Sequence, residues 1–225
     1  PALFHLQHAL EKKALQWRHV LKSGRTHLRD ALPMTLGQEF KAYAESVKKD
    51  IHHVHESALH LLQLNLGGTA IGSGVHSTPH FRGLVLKEVR AMTHAPFHST
   101  RNLFEGTQSL DAIMITSSSL RVLATSLIKI ANDLRLLSSG PATGLDEISL
   151  PAVQPGSSIM PAKVNPSMAE MLDMVGYQVI GNDTVVTLCG QAGQLELNVM
   201  MPLAAYSLLQ SIEILSNAIA AFTVK

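Results

Sequence analysis

The chain has 225 residues, 46% hydrophobic and only 16% charged, with a formal net charge of +1. That balance excludes a disordered chain and argues against a broad nucleic-acid-binding face. It is also short of charge for a monomer's surface, so cover by other subunits is expected. The one cysteine, Cys189, excludes an internal disulfide and favours a reducing, cytoplasmic setting. No run reaches the roughly 20 apolar residues of a membrane span, so no membrane contact is expected. The chain opens at Pro1 with neither Met nor a signal-like start, as a fragment or processed piece does.

A short helix is expected at about Ala2–Lys22. Between it and the next helix, Ser23 to Glu39 concentrates the donors Arg25, Thr26, His27 and Arg29. A hydroxyl beside an imidazole suits a carboxylate clamp or a proton relay. The plainer reading is a connecting loop whose Thr35 and Glu39 cap and open the following helix. That helix should run from about Met34 to Leu66, with Phe40, Tyr43, Val47, Ile51, Val54, Ala58 and Leu61 as one stripe. It would be on the order of 50 Å long, and Gly67-Gly68 ends it. His52, His53, His55 and His60 read as a solvated face rather than a zinc site. Gly67 to Gly74 is glycine-rich but follows a helix, so it is no dinucleotide fingerprint.

A shorter helix is expected at Pro79–Thr93. Leu120, Leu123, Leu127, Ile130, Leu134 and Leu137 form a second long stripe, ended by Ser138-Ser139-Gly140-Pro141. Gly156-Ser157-Ser158-Ile159-Met160-Pro161-Ala162-Lys163-Val164-Asn165-Pro166 fits neither helix nor strand. Glycine-hinged, partly apolar and rich in polar groups, it suits a lid over a site. Ser157 can act as a base only if a cation or a helix N-terminus stabilises its alkoxide, and Lys163 and the next helix are the local means. Lys163 and Asn165, two apart, can address one carboxylate with a cation and an amide donor. A surface loop that merely caps the helix is the bland alternative. A third long helix should open at Asn165 as N-cap with Pro166 in its first turn, and run to Cys189. Glu170 in its first turns either orients a histidine or simply meets the helix dipole. A fourth begins near Pro202 and carries Leu208, Ile212, Leu215 and Ile219. No strand and no repeat is evident. The pattern predicts an all-α fold: one domain over residues 1–225, an elongated up-down helical bundle joined to copies of itself, with a monomeric bundle as the bland alternative.

The lid segment resembles the signature of the fumarase/aspartase superfamily. Gly24-Arg25-Thr26-His27, Asp30-Ala31 and Leu36-Gly37-Gln38-Glu39 resemble its second shared region. Gly68-Thr69-Ala70-Ile71-Gly72, Asn132-Asp133-Leu134-Arg135, Ser139-Gly140-Pro141 and Glu196-Leu197-Asn198-Val199 also match, in family order. The resemblance implies the central domain of that fold, without its N-terminal and small C-terminal domains. The family's Ser-Ser-Asn-Asp stretch, which binds substrate, is not found here.

The resemblance further implies a homotetramer with a multi-helix core and active sites shared between subunits. The reaction would be reversible β-elimination to fumarate from a dicarboxylate, L-aspartate or L-malate. Ser157 would remove the proton, Lys163 and Asn165 would hold substrate carboxylate, and Thr26 and His27 would contact the other end. Glu170 would polarise His27 across a subunit boundary. No metal and no organic cofactor is called for. Gln191 to Met200 and Ala162 favour the aspartate ammonia-lyase branch; His27 and Met201 favour class II fumarate hydratase. A catalytically silent helical core is the alternative from another class.

Overall fold

A computed structural model describes residues 1–156, 159–160 and 163–224. Its elements in chain order are α1 (Ala2–Gln16), β1 (Leu21–Thr26), β2 (Arg29–Thr35), α2 (Leu36–His60), β3 (Gln63–Leu64), α3 (Pro79–Thr93), β4 (His98–Ser99), α4 (Leu103–Gln108), α5 (Asp111–Leu137), α6 (Ser167–Gln191) and α7 (Met201–Val224). The all-α class holds, with two small two-stranded sheets added to it. The chain divides into two compact units: Pro1–His52, Val122–Gln178 and Glu213–Lys225 form the first, His53–Arg121 and Val179–Ile212 the second.

In the first unit the α5 stripe behaves as its spacing requires: Leu123, Leu127, Ile130, Leu134 and Leu137 are all buried. From α2 come Phe40, Tyr43, Ala44 and Val47, from α1 Leu6 and Leu10, and from α7 Leu215 and Ile219. Trp17, Phe40 and Tyr43 stack edge to face, with ring centroids 4.7 Å and 5.5 Å apart. The Tyr43 hydroxyl donates to Asp133 Oδ2 at 2.7 Å.

The second unit is tied together by polar groups. Ser117 Oγ and Arg121 Nε both donate to Asp183, each at 2.7 Å. Asn182 Nδ2 donates to Ser211 Oγ and Gln210 Oε1, each at 3.0 Å. Cys189 is buried with Leu110 and Ala204.

Four expectations need correction. The α2 stripe drifts: Asp50 and Ser57 are buried, while Ala58 is exposed and Ile51 and Val54 only half-buried, because a true 3.6 period favours positions 43, 47, 50 and 57. Segment Leu21–Thr35 is a β-hairpin, not a loop. The short helix α4 was not foreseen; Asn102 caps it through Phe104 and Glu105 N–H. Finally, α5 and α7 are long and apolar enough to cross a membrane by length and composition, with mean hydropathy 1.4 and 1.3 over an 18-residue window. Neither holds an unbroken apolar run of that length, because serines and threonines punctuate both helices; Thr116, Ser117, Ser207 and Ser211 are buried polar positions on them.

Candidate active site

Thr26 and His27 stand at the tip of the β1–β2 hairpin. His27 and Leu28 form its two-residue turn, with φ of 53° and 58°. Both lie in the left-handed region, as a turn matched to strand twist requires. Opposite Gly24 the partner strand carries an extra residue, since the register shifts between Ser23 and Arg25. A Cβ at Gly24 would lie 2.8 Å from the Leu32 carbonyl, so only glycine fits this bulge. The hairpin leads into α2 through a reciprocal cap: Thr35 N–H donates to Gln38 Oε1, and Gln38 N–H to Thr35 Oγ1. The expected capping role of Thr35 is therefore met, and Thr26 and His27 are exposed above it.

Sequence reasoning did not find what holds the hairpin. Lys22 Nζ lies 2.5 Å from Glu39 Oε2 and 3.0 Å from Glu147 Oε2. Arg25 Nη1 lies 2.6 Å from Glu147 Oε1. The Lys22 side chain is only 7% exposed, so this is a partly desolvated cluster rather than a surface pair. Burial pushes the Glu147 carboxyl up, but the hydrogen bonds and charges of Lys22 and Arg25 outweigh it and hold the group below the usual carboxylate range.

Ser157, with Ser158, Pro161 and Ala162, lies outside the described residues. The flanks of the lid are described. A Cβ on Gly156 would come 2.8 Å from the Lys163 carbonyl, so the two backbones close a neck. Lys163 N–H donates to the Met160 carbonyl at 3.2 Å, and Ile159 is 87% exposed. Lys163 lines a 410 Å³ cleft with Ser138, Asp146 and Ser149. Asn165 lines a 310 Å³ apolar cleft with Trp17, Phe40 and Leu134. The two clefts share Ile148, Ser149, Leu150 and Pro166.

The third long helix begins one position later than expected. The Glu170 N–H donates to the Pro166 carbonyl at 3.0 Å, so Pro166 rather than Asn165 takes the capping position. Glu170 itself lies in the first turn of α6, 4.0 Å from Arg135 Nη2. Arg135 Nη1 donates to Asp173 Oδ2 at 2.8 Å. Burial pushes the Asp173 carboxyl up despite Arg135, and Glu170 adds to the rise. Among the described residues no hydrogen bond or ion pair within the chain joins His27 to Glu170. Nor do three His, Cys, Asp or Glu side chains converge as a metal site would need.

A family model described as Lyase matches residues 1–181, and the chain belongs to that lyase family. The chain is similar to curated aspartate ammonia-lyases and to solved fumarate lyase and fumarase structures. An aspartate ammonia-lyase from Helicobacter pylori is 50% identical over 220 residues, 98% of this chain and 47% of that one. The aspartate ammonia-lyase of Bacillus subtilis is 48% identical over 95% of this chain and 45% of its own length. Among solved structures, a fumarate lyase:delta crystallin from Brucella melitensis bound to cobalt matches with a TM-score of 0.96 at 45% identity, covering 99% of this chain and 48% of that one. A class II fumarase from Schistosoma mansoni matches at 0.91 and 36%, covering 99% and 50%. The chain thus spans about half the length of the curated relatives it matches.

Proposed function

We propose that the whole protein is an aspartate ammonia-lyase, converting L-aspartate reversibly to fumarate and ammonia. The observation that carries this is the 50% identity to an aspartate ammonia-lyase over 98% of the chain. In this reading Ser157 takes the proton from Cβ, leaving an aci-carboxylate intermediate. The Cα–N bond then breaks and ammonia leaves. Lys163 and Asn165 hold one carboxylate; Lys163 and the α6 N-terminus supply the positive field that the intermediate and the serine alkoxide need. Thr26 and His27 contact the other end of the substrate, with Glu170 polarising His27. No metal or organic cofactor enters this chemistry.

The active sites are shared between the subunits of a homotetramer in this proposal. Support comes from the exposed apolar side chains of α6 and α7, among them Met174, Tyr177, Leu188, Tyr206 and Leu209. They favour a protein partner over lipid, because the same helices bury serines and carboxylates such as Ser211 and Asp173. The proposal includes a cytoplasmic assembly, and the net charge of +1 supports the absence of nucleic-acid contacts. Class II fumarate hydratase is the second reading, favoured by His27 and by the likeness to a class II fumarase at a TM-score of 0.91. The test is to incubate the whole protein with L-aspartate or with L-malate and follow fumarate in the ultraviolet. Fumarate from aspartate supports the proposal; fumarate from malate alone overturns it in favour of the hydratase. Fumarate from neither leaves a silent helical core.

A further inference from the structure

We propose that Glu147 is a positioning residue for this reaction: its carboxylate ties β1, at Lys22 near the root of the hairpin and at Arg25 beside its tip, to the segment that follows α5, and so fixes where Thr26 and His27 stand. This rests on the reading of Thr26 and His27 as groups that touch substrate. A lone two-stranded ribbon is marginal in water. Here β2 is exposed over most of its length, so the hairpin has little core of its own. What fixes it runs along β1, from Lys22 near the root to Arg25 beside the tip. One carboxylate receives two cations from β1, Arg25 at 2.6 Å on Oε1 and Lys22 at 3.0 Å on Oε2. The Glu147 backbone is fixed independently of the hairpin, its N–H donating to the carbonyl of Leu137 at the end of α5 at 2.8 Å.

The remaining charged neighbours define what each contact does. Glu39, in the first turn of α2, shares Lys22. Asp30, on β2, lies 3.7 Å from Arg25 Nε and accepts from Ser23 Oγ, holding the two strands to each other. Asp30 is an internal contact of the hairpin, and Glu39 secures Lys22 alone. Glu147 engages both cations from outside. The residues immediately after it, Ile148, Ser149 and Leu150, form walls of the clefts that Lys163 and Asn165 line. The same short segment therefore holds the hairpin and walls the clefts of Lys163 and Asn165.

Glu147→Gln in the whole protein tests this by hydrogen exchange and by kinetics. The amide keeps the shape and removes the charge that draws both cations. Exchange in peptides covering residues 21–35 should quicken by about tenfold while α6 and α7 peptides keep wild-type rates. Unchanged exchange in the hairpin overturns the proposal, and so does a uniform rise over all helices, which marks a general stabiliser. In kinetics, kcat/KM should fall, and adding Glu147→Gln to a Thr26→Ala background should cost much less than in wild type. Fully additive losses overturn the proposal. If the wild type turns over neither aspartate nor malate, the functional reading fails, and the exchange measurement still decides whether Glu147 positions the hairpin.

Discussion

The neck of the lid offers a sharp perturbation. Gly156→Ala adds one methyl group whose carbon would sit 2.8 Å from the Lys163 carbonyl oxygen, where ordinary contact begins at 3.4 Å. The neck must open by the difference, 3.4 − 2.8 = 0.6 Å, and what is struck is backbone, which cannot swing aside as a side chain does. Lys163 moves with it. A misplacement of about 1 Å in a catalytic constellation costs about a hundredfold, so roughly a tenfold fall in kcat/KM is expected here. Both residues of the neck are exposed and outside the core, so stability should change by no more than about 0.5 kcal/mol. The assay is steady-state fumarate release from L-aspartate by the whole protein, with thermal unfolding alongside. Gly83→Ala is the control: it lies inside α3 with nothing within 4 Å of its added carbon, and should leave kinetics unchanged. Gly156→Ala with a kcat/KM within about twofold of wild type would refute the argument that the neck aims Lys163.

Three further outcomes are expected. Tyr43→Phe removes the hydroxyl bonded to Asp133; hydrogen bonds to charged groups contribute about 1.5–3 kcal/mol, but Asp133 is 31% exposed and keeps Lys129, so a loss near 1 kcal/mol is expected in urea midpoints. Burial first, then Asp133 and Glu39, hold the Tyr43 hydroxyl well above the usual phenol range. A raised folded pKa stabilises fully below the unfolded value near pH ~10 and is lost as pH rises beyond it, so the gap to the Phe variant should narrow there; a widening gap contradicts this. Ser157→Ala should abolish turnover without moving the thermal midpoint, and near-normal turnover would require another base. His27→Asn should reduce turnover, and Glu170→Gln in that background should add little; additive losses would leave Glu170 as a helix-start acid that interacts with the dipole and Arg135.

Much of what local period and local caps carry was legible, though the α2 stripe drifted and the α6 cap fell at Pro166 rather than Asn165. The α5 stripe is buried at every position assigned to it, and α3 has the bounds Pro79–Thr93 expected of it, with Thr78 capping Phe81 N–H. The hairpin was hidden because its turn, His27-Leu28, carries none of the Gly, Asn or Asp that marks two positive-φ positions. Pro33 inside β2 also argued against a strand, and is tolerated because β2 is an edge. The residues of the site stood in recognisable segments, but their supports did not. Glu147 reads locally as one acid in a polar connector. Its meaning comes from Lys22 and Arg25, far away in the chain, and no spacing rule pairs them.

The composition carried a different kind of information, about surface rather than position. The fourth stripe shows how. Leu208, Leu215 and Ile219 are buried as the period requires, while Ile212, on the same helix, is 42% exposed. Tyr206 and Leu209 are more exposed still, at 62% and 65%. A helix apolar around most of its circumference cannot be oriented by its own pattern, because more than one face satisfies the rule. One chain buries one of those faces and leaves the other bare. The 16% charged content is the same fact seen in the sum: exposed positions that are commonly charged are apolar here. Periodicity therefore locates a helix, and the surplus of apolar residues beyond one face is the surface that the proposed subunit contacts would cover.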